Sequence, residues 1–311
     1  MDSYEACTLC PHRCLVNRVK GERGVCNESA TVRIAWAGLH RGEEPPISGE
    51  AGSGMIFFSG CPLHCATCQN RQISARDGYG LEIGLEELST LMLALQEMET
   101  KTLNLVTGTH FIPSIVEALI GAKKRGLNLD VVWNSSGFES VEGLSLVDPY
   151  VDLYLIDLKT LDEGVARRFC GTVRYQRSIR TVFDHLIQKR RNTFIDDDGL
   201  LKGVLVRHLL FPGEFKATEE VLRYFADHLK ESMHLSLMVQ FEDPQGMNRF
   251  SKVSQEEYDR LLELLEELEI ENGFVQEIED SISWIPDFTQ DEPFPPTFSE
   301  VCPYFLELKR S

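Results

Sequence analysis

The chain of 311 residues sets 31 Lys and Arg against 49 Asp and Glu, a net charge of −18 at pH 7. With a pI near 4.9 and no basic run, it lacks the positive face that duplex phosphates or an anionic membrane surface would need, which excludes nucleic-acid and membrane partners. Its 42% apolar content fits a well-cored globular chain, and the absence of an apolar leader or of a membrane-length apolar stretch leads us to expect a cytoplasmic protein.

Charge divides the sequence: residues 1–50 sum to −1, 51–250 to −5 and 251–311 to −12. We therefore expect an N-terminal Cys-rich metal-binding extension (1–50), a core (51–250) and an acidic C-terminal helix with a wrapping tail (251–311). The first segment carries Cys7, Cys10, Cys14 and Cys26 as C-x2-C-x3-C-x11-C. Four thiols can close a site, and their spacing suits structural zinc or an auxiliary iron–sulfur cluster equally.

In the core, short apolar runs alternate with helical periodicity, the signature of βα units on a parallel sheet. Six strands are predicted: Met55–Ser59, Leu103–Thr107, Leu129–Asn134, Val151–Leu158, Gly203–Leu210 and Leu235–Phe241. Such continuous apolar runs fit strands covered on both faces. Helices are predicted at Leu85–Met98, Pro113–Arg125, after Ser140, at Asp162–Arg168 with a continuation to Lys189, and at Thr218–Lys230. Pro113 suits a first helical turn and Gly126 a C-terminal cap. Ser254–Glu271 reads as an amphipathic helix, and the Pro-, Phe- and acid-rich stretch from Ile285 as an extended tail.

Directly after the first predicted strand stands Cys61-Pro62-Leu63-His64-Cys65-Ala66-Thr67-Cys68-Gln69-Asn70, three thiols as C-x3-C-x2-C. Three thiolates leave one iron of a 4Fe-4S cluster without a protein ligand, open to an amino-carboxylate that chelates it. Zinc held by these cysteines and His64 is the rival reading. Cys170 and Cys302 stand alone and are read as structural. Arg207 and His208 interrupt an apolar strand, so at least one of them should point into the barrel, where its charge needs a partner such as a carboxylate.

Cys61–Asn70 resembles the cluster loop of the radical SAM superfamily, and within it the chain more closely resembles the activating enzymes of glycyl radical enzymes (pyruvate formate-lyase activating enzyme) and their PflX-like branch. The resemblance extends to Gly42-Glu43-Glu44-Pro45-Pro46-Ile47-Ser48-Gly49, Gly52-Ser53-Gly54, Val131–Gly137, Asp157-Leu158-Lys159 and Arg207–Gly213. It implies an α/β fold, a partial (β/α)6 TIM-like barrel with ligands at the C-terminal ends of the strands, where parallel βα folds bind them.

The resemblance further implies that Cys61, Cys65 and Cys68 hold a 4Fe-4S cluster. Reduced by a flavodoxin or ferredoxin, the cluster cleaves S-adenosylmethionine (SAM) to a 5′-deoxyadenosyl radical that abstracts a substrate hydrogen. Gly108 and Thr109 then stand in the turn that meets the methionine amino group, Asn134 and Ser136 (with Ser135) near the ribose, and Lys159 beside Asp157 at the methionine carboxylate, with Arg207 and His208 in the barrel. Two departures are visible: Thr107-Gly108-Thr109-His110 lacks the family's Gly-Gly-Glu carboxylate, and Thr67 replaces a common aromatic. The implied substrate is the glycine of a glycyl radical enzyme; another protein, a small metabolite, and a non-catalytic zinc protein are the alternatives.

Overall fold

In the computed structural model, residues 2–75, 78–189, 192–243, 252–278 and 285–311 are described. Among the described residues eleven strands form: β1 (Val32–His40), β2 (Ser53–Phe58), β3 (Leu81–Ile83), β4 (Thr102–Val106), β5 (Asp130–Ser135), β6 (Leu153–Asp157), β7 (Phe194–Ile195), β8 (Leu201–Leu209), β9 (His234–Met238), β10 (Gly273–Val275) and β11 (Ser299–Val301). Their order is β10-β9-β8-β6-β5-β4-β2-β1-β11, with β3 on β1 and β7 on β8. Every pair from β2 through β10 along this path is parallel. β10 and β11 end the path on opposite sides, so the sheet is open, a partial barrel rather than a closed one.

The six predicted strands are β2, β4, β5, β6, β8 and β9, each shifted by no more than a few residues. Their apolar runs are buried along almost their whole length, as burial on both faces requires. The interior is plugged from below by Ile47, which packs on Val132, Leu155 and Leu205. Period-two alternation along a strand then decides which side chain at its upper end enters the cavity.

Several elements differ from expectation: the short strands β3, β7 and β10 were not predicted, and three differences bear on the site. β1 lies antiparallel to β2 and carries β11 on its other side. The long helix after Asp162 is two helices, Glu163–Phe169 and Tyr175–Lys189. They are parted at Gly171, left-handed at φ +71°, where a Cβ would lie 2.8 Å from the Leu63 carbonyl oxygen. The C-terminal stretch is extended only in part: it pairs as β11 and ends in the helix Pro303–Arg310, because Cys302 and Phe305 are drawn into the core. The expected boundary between 250 and 251 lies outside the described residues.

The N-terminal segment is packed on the barrel through Arg18, whose side chain is buried between the rings of Tyr4 and Phe111, 4.8 and 5.6 Å from their centroids. Its guanidinium donates to the carbonyls of Glu28 (3.2 Å), Ser29 and His110. Among the described residues no helix is long and apolar enough to cross a membrane.

Candidate active site

The cysteine loop leaves β2 at Ser59-Gly60. Gly60 has φ +78°, and a Cβ on it would stand 2.6 Å from the Cys26 carbonyl oxygen, so only glycine lets the N-terminal segment approach the loop this closely. The His12 ring bonds the Pro62 carbonyl oxygen at 2.8 Å. Within the loop, Leu63 N–H donates to Cys61 Sγ and the Ser74 hydroxyl to Cys68 Sγ, both at 3.4 Å. The Ala66 N–H donates to the Phe169 carbonyl at 3.0 Å.

Cys61, Cys65 and Cys68 open onto a cavity of about 330 Å³, a size typical of small-molecule sites. Burial pushes the Cys61 thiol up to about 12, helped by Cys65 and Cys68. Cys68 is raised by the same two causes, burial and Cys65. Cys65 is held well above the ordinary range by its hydrogen bond with Cys170, then by burial. Three such thiols cannot ionise together without a cation among them.

The facing wall comes from the upper ends of β5, β6 and β8. Arg207 donates to Asn134 Oδ1 (2.7 Å), Asp157 Oδ1 (3.1 Å) and Glu43 Oε2 (3.4 Å), and Lys159 Nζ to Asp157 Oδ2 (2.8 Å). Burial alone would raise the Asp157 carboxyl, but Lys159 and Arg207 hold it below its ordinary value. Burial would likewise lower the Lys159 ammonium, yet Asp157 and Cys65 hold it well above. Glu43 is pushed up to about 7 by burial, which outweighs the opposing pull of Arg207. The Tyr175 hydroxyl ties the wall together: it accepts the Lys159 N–H at 3.0 Å and shares its proton between the carbonyls of Ser136 and Asp157.

Of the residues expected from sequence, Cys61, Cys65, Cys68, Asn134, Ser135, Ser136, Asp157, Lys159 and Arg207 line this one cavity. Gly108, Thr109 and His208 do not. Gly108 is packed under Ile115 and Trp133, and the Thr109 hydroxyl donates to the buried Glu139 at 2.6 Å; Thr107, left-handed at φ +60°, faces the cavity instead. His208 follows Arg207 on β8 and so points to the other face, its ring nitrogens 2.7 Å from the Leu158 carbonyl oxygen and 3.0 Å from Thr218 Oγ1. Arg207 is therefore the charge that enters the barrel, and carboxylates meet it. His64 turns its Nε2 to the Val25 carbonyl, which leaves that nitrogen engaged away from the three thiols and weakens the zinc reading.

Sequence reasoning missed three residues of the site. Glu43 was legible only as part of a resembling segment, Tyr175 gave no signal, and Cys170, read as structural, lines the cavity against Cys65 because the helix break at Gly171 presses it there. Uncharged polar side chains, His40, Gln240 and Gln276, also line the cavity. Burial pushes His40 down to about 4, and the Gly42 N–H donating to its Nδ1 at 3.1 Å places the proton of the neutral ring on Nε2.

A model of the Radical SAM superfamily matches residues 55–225, from β2 into the helix Phe215–His228, and so spans the cysteine loop and the whole charged wall apart from Glu43. The chain belongs to the radical SAM superfamily. An uncharacterized protein of Methanocaldococcus jannaschii is 28% identical over 281 residues, which cover 86% of this chain and 76% of that one. Among solved structures, Streptococcus suis SuiB bound to SAM aligns with 9% identity and a TM-score of 0.48 over 70% of this chain and 48% of its own. A domain of a pyruvate formate-lyase activating enzyme from Bacteroides vulgatus aligns with 16% identity and a TM-score of 0.39, over 53% of this chain and 91% of the domain. This radical SAM chain thus spans about half the length of SuiB.

Radical SAM membership implies a 4Fe-4S cluster and SAM, and the donor set fits both. Among the described residues no three of His, Cys, Asp and Glu are arranged to hold a single metal ion. A cluster instead takes each thiolate on a separate iron. The three buried thiols suit such a core, and the paired cations and carboxylates of the facing wall suit a zwitterionic amino-acid group.

Proposed function

We propose that this radical SAM protein is an oxidoreductase of the activating-enzyme type, acting on the backbone glycine of a glycyl radical enzyme. What supports the reading is one observation: the three loop thiols share a cavity with the Asp157, Lys159 and Arg207 wall. The cluster and SAM, when bound, supply a reductively generated 5′-deoxyadenosyl radical that abstracts a hydrogen from the substrate.

Cys61, Cys65 and Cys68 hold the cluster. Lys159 takes the methionine carboxylate, Asn134 and Ser136 the ribose, and Asp157 fixes Lys159 and Arg207 against each other. The buried walls exclude water from the reacting atoms. In the cavity lining, His40, Gln240 and Gln276 offer hydrogen bonds without charge, which suits peptide amides. A reduced flavodoxin or ferredoxin supplies the electron, and a reducing cytoplasm suits nine free thiols.

We keep as part of this reading the division expected from charge: the extension 1–50, the core 51–250 and the C-terminal 251–311. We read Cys7, Cys10, Cys14 and Cys26 as holding a second metal, zinc or iron–sulfur, of which zinc would need the thiols to close up around one ion; Cys10, raised to about 12 by burial, also feels the other three thiols, which supports the reading. The test is to incubate the reconstituted, reduced protein and SAM with a glycyl radical enzyme and record the electron paramagnetic resonance (EPR) of a protein-based glycyl radical. Formation of 5′-deoxyadenosine without that radical would redirect the reading to another protein or a metabolite, and no 5′-deoxyadenosine at all would overturn it.

A further inference from the structure

Cys170 is completely buried, yet it borders the same cavity as Cys65. The chain approaches the cluster loop closely on both sides of it: the Phe169 carbonyl accepts the Ala66 N–H at 3.0 Å, and a Cβ on Gly171 would stand 2.8 Å from the Leu63 carbonyl oxygen. These contacts set Cys65 and Cys170 side by side on the cavity wall. The other two loop thiols are engaged differently, Cys61 by the Leu63 N–H and Cys68 by the Ser74 hydroxyl. Cys65, whose neighbour Ala66 holds the Phe169 carbonyl, is the loop cysteine set beside Cys170.

We propose that Cys65 and Cys170 form a reversible disulfide when an oxidant strips the protein of its cluster, which makes Cys170 the resolving thiol of a protective modification site. The inference rests on the reading of Cys65 as a cluster ligand. With a peroxide as oxidant, the Cys65 sulfur attacks one peroxide oxygen and the O–O bond breaks; the departing oxygen takes the Cys65 thiol proton and leaves as water, and Cys65 becomes a sulfenic acid. Cys170 sulfur then attacks the Cys65 sulfur, an S–S bond forms, the S–O bond breaks, and the hydroxide leaves with the Cys170 proton as a second water. Two electrons pass from the thiols to the peroxide, and both thiol hydrogens end in water.

Because the two cysteines are held side by side, the second step is intramolecular and outpaces further oxidation of Cys65 to the sulfinic acid, which thiols do not reverse. The disulfide is reopened by a dithiol through exchange. The three loop thiolates are then available to a new cluster.

The test starts from the reconstituted full-length protein, treated with hydrogen peroxide until its iron is released. Free thiols are then alkylated, the protein is digested without reduction, and the peptides are mapped by mass spectrometry. A parallel sample is reduced with dithiothreitol and reloaded with iron and sulfide. The expected map shows the Cys65 peptide joined to the Cys170 peptide, and the reduced sample regains its iron. Cys170→Ser should instead carry Cys65 as sulfinic or sulfonic acid and regain severalfold less iron. Recovery of Cys170 as a free alkylated thiol in the wild-type map, with Cys65 joined to Cys61 or Cys68 or overoxidised, overturns the proposal, whether or not the serine variant folds. Iron uptake before peroxide tests the cluster reading separately, and on iron-free protein the peptide map decides the disulfide in the same way.

Discussion

Replacing Arg207 by Met removes the one guanidinium that meets Asp157, Asn134 and Glu43 together. The side chains of Arg207, Glu43 and Asp157 are only 16%, 10% and 21% exposed, so water cannot screen the carboxylates that are left behind. Removing one member of a buried ion pair costs about 3–5 kcal/mol, and Lys159 still neutralises Asp157 from 2.8 Å, which puts the expected loss near the lower end, ~3 kcal/mol at neutral pH. The sign with pH is distinctive. Glu43 already sits at about 7 with Arg207 present, against 4.5 for an ordinary glutamate, and without the guanidinium it rises further. Between those values the folded state binds more protons than the unfolded one, so stability contributed by this group grows as the pH falls through that window. Urea denaturation of Arg207→Met and wild type at about pH 8 and about pH 5 should therefore show the deficit shrinking by ~1 kcal/mol or more in acid. A deficit that is the same at both pH values would refute the buried-carboxylate argument, and one below ~1 kcal/mol would mean that the wall is solvated.

Lys159→Ala should weaken SAM binding by roughly 1.5–3 kcal/mol in equilibrium dialysis, the range for hydrogen bonds to charged groups; an unchanged dissociation constant would reduce Lys159 to a partner of Asp157 alone. Acid should weaken the fold through its buried histidines: burial keeps His208 and His40 neutral until about 4 whereas an ordinary histidine takes its proton near 6.5, so stability is full above 6.5 and falls as the pH drops from there to about 4. His208→Gln should flatten that slope by on the order of 3 kcal/mol across the window, and a parallel titration would contradict the assignment. Gly60→Ala forces a Cβ against the Cys26 carbonyl in a left-handed conformation, so it should cost about 1–3 kcal/mol and lower iron uptake; wild-type melting and iron content would show that the N-terminal segment does not hold the loop.

The six parallel strands were legible because each is covered on both faces and so reads as a continuous apolar run. β1 was not: Arg33, Gly38 and His40 interrupt it, and it is antiparallel at the margin of the parallel run, where burial is set by β11 and the tail rather than by its own pattern. The thiol loop was plain from its spacing, and Arg207 from the cost of a charge in an apolar strand. Parity, however, decides between Arg207 and His208, and parity follows from register, which no single strand reveals. Glu43 meets Arg207 across 164 residues, and Cys170 meets Cys65 only because Gly171 breaks a helix there. Such pairings arise from the folded path and leave no periodic mark. Gly108 and Thr109 stand at a strand end as expected, yet their turn packs on Ile115, Trp133 and Glu139 and so leaves the cavity to Thr107.

The most direct measurement is EPR of the anaerobically reconstituted, dithionite-reduced protein before and after SAM is added, alongside the variant with Cys61, Cys65 and Cys68 all replaced by Ala. With three thiolates on a four-iron core, one iron is open, so SAM should change the reduced-cluster signal of the wild type and be turned over to 5′-deoxyadenosine, while the variant shows neither the change nor the product. A signal indifferent to SAM, or normal 5′-deoxyadenosine formation by the triple variant, would contradict the assignment of the cluster to this loop.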